Sequence, residues 1–308
     1  GLDLAPLYDL FRDPGVVKVF HAARQDLEIF SVDAGVIPAP LFDTQVAAMV
    51  CGFGEQVSYE TLVKKIAKAE VDKSSRFTDW SHRPLSEAQL RYALADVTLL
   101  RPVYEYLSDR LRRTGREGWV AEEMALLMDP ATYRTDPADA WVRVKARPGS
   151  ARMLAALVEL ARFREEYAQA KDVPRSRVFK DDALVELATV RPQSEADLNK
   201  SRLLLREARR GDIAEGILAA VRRAAQARPE DLPRLRDARE QSQVNPALAD
   251  LLRVLLKARA EGQGVAAKLV ASASDLDAIA AGARDLPALQ GWRREVFGED
   301  AIRLCEGK

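Results

Sequence analysis

Beyond the stretch Thr135-Asp136-Pro137-Ala138-Asp139, the β-strand signals of this 308-residue chain almost vanish. From Ala151 to Cys305 the sequence is Ala, Leu and Arg in helical periods, punctuated by Pro174, Pro192, Gly211, Pro229, Pro233, Pro246 and Gly262. Apolar residues recurring every three or four positions build helices that bury one stripe; strands need alternation or β-branched runs. The second half is therefore read as helical, and its division near Arg228-Pro229 gives two small domains of about 80 residues each. The expected organisation is a first domain over 1–140 and helical domains over 141–228 and 229–308. With 47% hydrophobic residues the chain has ample material for packed cores, which excludes wholesale disorder. No apolar run approaches the roughly 18 residues of a membrane span, and no secretory pattern opens the sequence. Cys51 and Cys305 are too far apart in sequence for a disulfide framework or a zinc site. A cytoplasmic protein is expected.

The 47 basic and 47 acidic residues balance overall but not along the chain. Residues 1–140 carry 16 basic and 22 acidic groups, a balance of −6. Residues 141–228 carry 19 and 12, a balance of +7, and residues 229–308 carry 12 and 13, a balance of −1. An acidic segment beside a basic one suits a protein that binds metal with one part and grips a polyanion with another. Solvated helix faces give the same imbalance.

The first domain reads as mixed α/β. Val16-Val17-Lys18-Val19-Phe20, after the Pro14-Gly15 turn signal, predicts a buried strand, and helical periodicity follows through Asp26-Leu27-Glu28-Ile29-Phe30. Pro40-Leu41-Phe42-Asp43 predicts a second short strand, with a helix from Thr44. Ser86 with Gln89 three residues later is a capping box, and Leu90, Ala93, Leu94, Val97, Leu100 and Val103 extend a helical period beyond it.

Two places in this domain can carry chemistry. Asp26 follows a predicted strand and opens a helix. Tyr92 and Asp96 are four residues apart, so a phenol and a carboxylate share one helix face. Of the seven tyrosines, only Tyr92 has an aspartate at that spacing. Phosphodiester cleavage by two metal ions needs carboxylates around a metal pair about 3.5–4 Å apart, with a group that orients the attacking water. Asp26 and Asp96 suit the first role and Tyr92 the second.

Val16 to Phe30 resembles the second exonuclease motif of the ribonuclease D family. Asp72-Lys73-Ser74-Ser75-Arg76-Phe77-Thr78-Asp79-Trp80, through Arg83-Pro84-Leu85 to Tyr92-Ala93-Leu94-Ala95-Asp96, resembles the third. Leu41-Phe42-Asp43-Thr44-Gln45 is similar to the family as well. Residues 151–226 resemble the helicase-and-ribonuclease-D C-terminal (HRDC) domain, and residues 229–305 a second copy ending in Gly291-Trp292-Arg293-Arg294-Glu295-Val296-Phe297-Gly298. The resemblance implies an α/β ribonuclease H-like exonuclease domain with a mixed sheet, followed by two small all-α HRDC-like domains, mostly helical overall. It implies a metal-dependent 3′–5′ exoribonuclease that trims tRNA precursors and releases nucleoside 5′-monophosphates. Two divalent ions, Mg²⁺ or Mn²⁺, would be its cofactors, Asp26 and Asp96 metal ligands, and Tyr92, Asp96 and Asp26 the catalytic residues.

The family's first motif, Asp-x-Glu on an early strand, would add two more carboxylates. The sequence has one Asp-x-Glu, Asp26-Leu27-Glu28, and it falls where the second motif belongs. On a helix, residues i and i+2 diverge by about 200°, so they cannot replace a strand pair. The first motif is expected upstream of Gly1, and the chain as given is expected to be catalytically incomplete.

Other residues carry two readings. His21 suits phosphate or the metal shell, or packing at a strand end; His82 carries the same ambiguity. Lys73 and Arg76 suit substrate phosphate, or a solvated loop. Trp80 is expected to pack beneath that loop. The basic segment holds Arg143, Lys145, Arg147, Arg152, Arg162 and Arg164, then Lys171, Arg175, Arg177 and Lys180, with Phe163, Tyr167 and Phe179 among them. Arg162, Lys171, Arg175 and Arg177 are candidate RNA contacts, while the aromatics suit either base stacking or a small helical core. The absence of a G-x-x-x-x-G-K-[ST] cradle argues against a nucleotide-driven motor. A nucleic-acid-binding module with a decayed exonuclease domain and a repair-type DNA exonuclease remain alternatives.

Overall fold

The computed structural model describes residues 3–134, 136–146, 148–228, 230, 232 and 244–307. Thr135, Arg147, Pro229 and Pro233, used above as breaks or charges, lie outside the described residues. The chain forms two compact units, one of residues 1–133 with 241–308 and one of residues 134–240.

The first unit begins with helix α1 (Ala5–Arg12), strand β1 (Lys18–Phe20), helix α2 (Arg24–Ala34), strand β2 (Leu41–Asp43) and helices α3 (Thr44–Val50) and α4 (Tyr59–Leu62). A π-helical turn over Val63–Ala67 follows. Helices α5 (Glu87–Thr98), α6 (Leu100–Thr114) and α7 (Glu117–Met128) complete this part. β1 and β2 pair in parallel, Lys18 opposite Leu41 and Phe20 opposite Asp43. The sheet among the described residues is thus two parallel strands, where a mixed sheet was expected. Leu27, Ala47, Leu62, Val103 and Leu107 fill the core beneath it.

Two expectations need correction. The first strand is shorter than predicted, and its buried residue is Lys18 rather than Val16 or Val17, which are exposed. Lys18 is accommodated because its ammonium donates to the carbonyls of Asp13 and Ala39 at 2.5 and 2.6 Å. The helix opened by Ser86 does not run on to Val103. It stops at Thr98, and Leu90, Leu94 and Val97 are exposed, Val97 at 69%. Pro102 lacks the N–H that would continue the ladder, so the chain turns at Leu99 and restarts as α6.

The second unit centres on α8 (Ala151–Lys171). Around it lie a 3₁₀ turn (Pro137–Arg143) and helices α9 (Arg175–Val178), α10 (Asp181–Val190), α11 (Glu195–Leu198) and α12 (Gly211–Gln226). Gly216 lets α12 approach α8 closely: a Cβ there would lie 2.0 Å from the Phe163 ring. Phe179 is fully buried and Phe163 and Tyr167 pack on the same core, so these aromatics are packing residues.

The remaining helices, α13 (Pro246–Gln263), α14 (Ala267–Val270), α15 (Ala273–Ala280), α16 (Gly291–Arg293) and α17 (Glu299–Cys305), belong to the first unit. The Ala266 N–H donates to the Met49 carbonyl at 2.9 Å. A Cβ on Gly52 would lie 2.4 Å from the Gly264 carbonyl oxygen, and Gly52 has φ +77°, so glycine is required there twice over. Trp119 stacks on Trp292 with centroids 4.5 Å apart. Cys51 and Cys305 are free. No helix among the described residues is long and apolar enough to cross a membrane.

Candidate active site

Ligand sites in parallel α/β sheets gather at the carboxyl ends of the strands. Here β1 ends at Phe20 and β2 at Asp43, paired in register. Asp43 is almost fully buried; its carboxylate accepts from the N–H groups of Ala22 and Ala23 at 3.0 and 2.8 Å. It also caps α3 by accepting from Gln45 N–H at 2.7 Å. One side chain therefore fixes both strand exits. Ala22 is held at φ 59°, left-handed for a non-glycine residue, and the turn it makes delivers Asp26 into the first turn of α2. Glu28 shares that helix, with fully buried Leu27 between them, so the pair does not form a strand-type carboxylate motif.

His21 caps the same corner. Its Nδ1 lies 3.0 Å from Thr44 Oγ1, and the Thr44 hydroxyl donates to the Phe20 carbonyl. With the single Thr44 proton so engaged, Nδ1 is the donor. Burial lowers the His21 pKa, partly opposed by the Asp43 charge and the Val57 carbonyl. The imidazole is thus half-buried and hydrogen-bonded at the strand end.

The second wall is α5. Ser86 and Gln89 form the capping box expected from sequence. Gln89 does more: its Nε2 donates to Thr78 Oγ1 and the Asp79 carbonyl, both at 3.0 Å. That ties the 72–82 loop to the start of the helix. Tyr92 follows one turn later with its ring 5.7 Å from that of Trp80, and Asp96 one turn after that on the same face. At the last turn of α5, the Tyr59 hydroxyl donates to the carbonyls of Ala95 and Asp96, at 2.9 and 3.2 Å. The Tyr59 ring lies 5.7 Å from that of His21. The structure thus links the strand exit to the helix end through His21 and Tyr59, neither of which carries a motif signal for this role.

Asp26 and Asp96 make no ion pair among the described residues. Both carboxyls lie above the ordinary carboxylate range, first through partial desolvation, with Asp43 adding to the rise at Asp26. Carboxylates without cationic partners are hard oxygen donors suited to a divalent ion such as Mg²⁺. Such ions bind through one or two carboxylates and take water and substrate phosphate for the rest. Among the described residues no three His, Cys, Asp or Glu side chains converge on one point.

Lys73 pairs with Glu60. Arg76 lies over the ring of Phe77, itself 90% exposed, at 5.2 Å. In the second unit, Arg162 pairs with Glu159 and Lys171 lies 5.9 Å from the Tyr167 ring. Arg175 is half-buried and Arg177 exposed.

A family described as 3′-5′ exonuclease matches residues 2–112, and the HRDC domain family matches residues 153–221. The ribonuclease D of Jannaschia sp. (strain CCS1) is 63% identical over 308 residues, covering 100% of this chain and 80% of that protein. That of Granulibacter bethesdensis is 50% identical over 309 residues, covering 100% and 78%. The crystal structure of Escherichia coli RNase D, described as an exoribonuclease involved in structured RNA processing, aligns with a TM-score of 0.87 at 28% identity. It covers 99% of this chain and 83% of that one. With an exonuclease part, an HRDC domain and relatives of this identity along its whole length, the chain belongs to the ribonuclease D family of 3′–5′ exoribonucleases.

Proposed function

We propose that the full-length protein trims the 3′ ends of tRNA precursors one nucleotide at a time, using two divalent ions held in part by Asp26 and Asp96. The observation that carries this reading is the pairing of Tyr92 and Asp96 on one face of α5, beside a strand exit that presents Asp26. Both carboxylates lack basic partners among the described residues, as suits groups kept for a metal. Bound there, divalent ions supply Lewis-acid activation of water and stabilisation of the leaving 3′-oxygen. The protein's part is geometric. Asp26 and Asp96 offer their oxygens from two elements, and the Tyr92 phenol, backed by Trp80, orients the attacking water. Hydrolysis breaks the P–O3′ bond and leaves the phosphate on the released nucleoside 5′-monophosphate.

On this reading residues 1–140 are the exonuclease domain and 141–228 and 229–308 two HRDC-like domains. Arg162, Lys171, Arg175 and Arg177 grip RNA through the basic middle segment, and His21, Lys73 and Arg76 attend the substrate. RNA as substrate agrees with the relatives; tRNA precursors are the proposal's own choice among structured RNAs. Tyr92→Phe tests the water-orienting role. It is expected to lower turnover about 100-fold with RNA affinity nearly unchanged. A loss of affinity with turnover preserved would contradict it.

A further inference from the structure

The last turn of a helix is where its hydrogen bonds are fewest, because its final carbonyls have no partner further along the helix. Asp96 stands there, two residues before the end of α5. Leu99 N–H still reaches the Ala95 carbonyl at 3.1 Å, but α5 ends at Thr98 and the chain restarts as α6 at Leu100, so the ladder is broken just beyond it. A side chain that must hold a ligand within about 0.5 Å cannot rely on such a turn alone. The Tyr59 hydroxyl supplies what is missing by donating to the carbonyls of Ala95 and Asp96.

Tyr59 is itself well anchored. It opens α4, whose N-terminus is capped by Ser58 accepting from Thr61 N–H. Its ring lies against His21, which is fixed through Thr44 to the end of β1. From there the chain enters the Asp43-bracketed turn that delivers Asp26. Tyr59 therefore touches the backbone of one candidate carboxylate and, through His21, the corner that places the other.

We propose that Tyr59 is a positioning residue that holds the Asp96 turn in register with the strand exit carrying Asp26, and so sets the spacing of the two metal-binding carboxylates. The proposal rests on the assignment of Asp26 and Asp96 as metal ligands. It makes Tyr59→Phe informative, because that change removes the hydroxyl and keeps the ring on His21.

The test uses the full-length protein and compares wild type, Tyr59→Phe and Asp96→Asn. Calorimetric titration of Mn²⁺ into RNA-free protein, steady-state kinetics on a 3′-single-stranded RNA, and amide exchange at Leu99 are the readouts. Tyr59→Phe is expected to weaken Mn²⁺ binding and to lower kcat, each about 10-fold, as supporting residues around metal ligands do. KM for RNA is expected to change less than about twofold, with faster exchange at Leu99. Wild-type Mn²⁺ affinity and kcat in Tyr59→Phe, with Asp96→Asn inactive and metal-deficient, would overturn the proposal while leaving the site assignment intact. Wild-type metal binding and activity in Asp96→Asn would instead remove the assignment beneath it. If Tyr59→Phe does not fold, Tyr59→His takes its place. Its shorter ring falls short of the carbonyls, and the same readings decide.

Discussion

Asp43 shows why single residues of this site differ in legibility. Asp26, Tyr92 and Asp96, the proposed site residues, stand out in sequence by their placement: an aspartate after a strand, a phenol and carboxylate one helical turn apart. Asp43 reads in sequence only as the end of a predicted strand within a family-like stretch, and its bonds to Ala22 and Ala23 cross about twenty positions that no local pattern encodes. Tyr59 reaches 36 and 37 positions to Ala95 and Asp96. The burial of Lys18 likewise depends on two carbonyls that happen to face it. At this scale Asp43→Ala is expected to destabilise the fold by about 3 kcal/mol, since it strands several backbone donors at a buried corner. Urea unfolding measures the loss. A change below about 0.5 kcal/mol would mean that water replaces the carboxylate there.

Among the elements, helix starts are legible in the sequence and helix faces are not. The Ser86–Gln89 box and the start of α3 at Thr44 lie where the residues dictate, because capping is a local contest between side chain and backbone. The outer face of α5 shows the limit. Periodicity marks Leu90, Leu94 and Val97 as an apolar stripe, but nothing among the described residues covers it, and the buried member of that helix is polar Gln89. Gln89 joins three partners: the Ser86 N–H, Thr78 Oγ1 and the Asp79 carbonyl. Gln89→Ala is therefore expected to cost about 2 kcal/mol and to loosen the 72–82 loop. Limited proteolysis within that loop is expected to speed up while helix content is kept. Unchanged cleavage would show that the loop has another anchor.

For the whole molecule, the sequence indicates helices after residue 150 but not which core the last of them joins. Helices α13–α17 share a unit with the exonuclease part, sealed by Trp119 on Trp292 and by buried Glu123, which accepts from Trp292 Nε1 and pairs with Arg293. Glu123 and Arg293 lie 170 positions apart, a separation over which hydrophobic patterning is silent. Burial raises the Glu123 carboxyl, opposed by Arg293 and the Trp292 indole, which makes this a pair whose halves need each other. Glu123→Ala leaves a buried guanidinium and an indole N–H without their acceptor. It is expected to lower stability by about 3 kcal/mol, read from the denaturant midpoint. A wild-type midpoint would show that the two parts unfold independently.

The central claim is that Asp96, with Asp26 and Tyr92, belongs to a metal-dependent centre removing nucleotides from RNA 3′ ends. Its most direct test is digestion of 5′-labelled RNA with a single-stranded 3′ tail by the full-length protein, in Mg²⁺ and in Mn²⁺, beside Asp96→Asn. The account expects a ladder shortening by single nucleotides in wild type, abolished by chelator, and intact RNA that is still bound by Asp96→Asn. A ladder from Asp96→Asn equal to wild type, or wild-type RNA that binds but is never shortened, would contradict it.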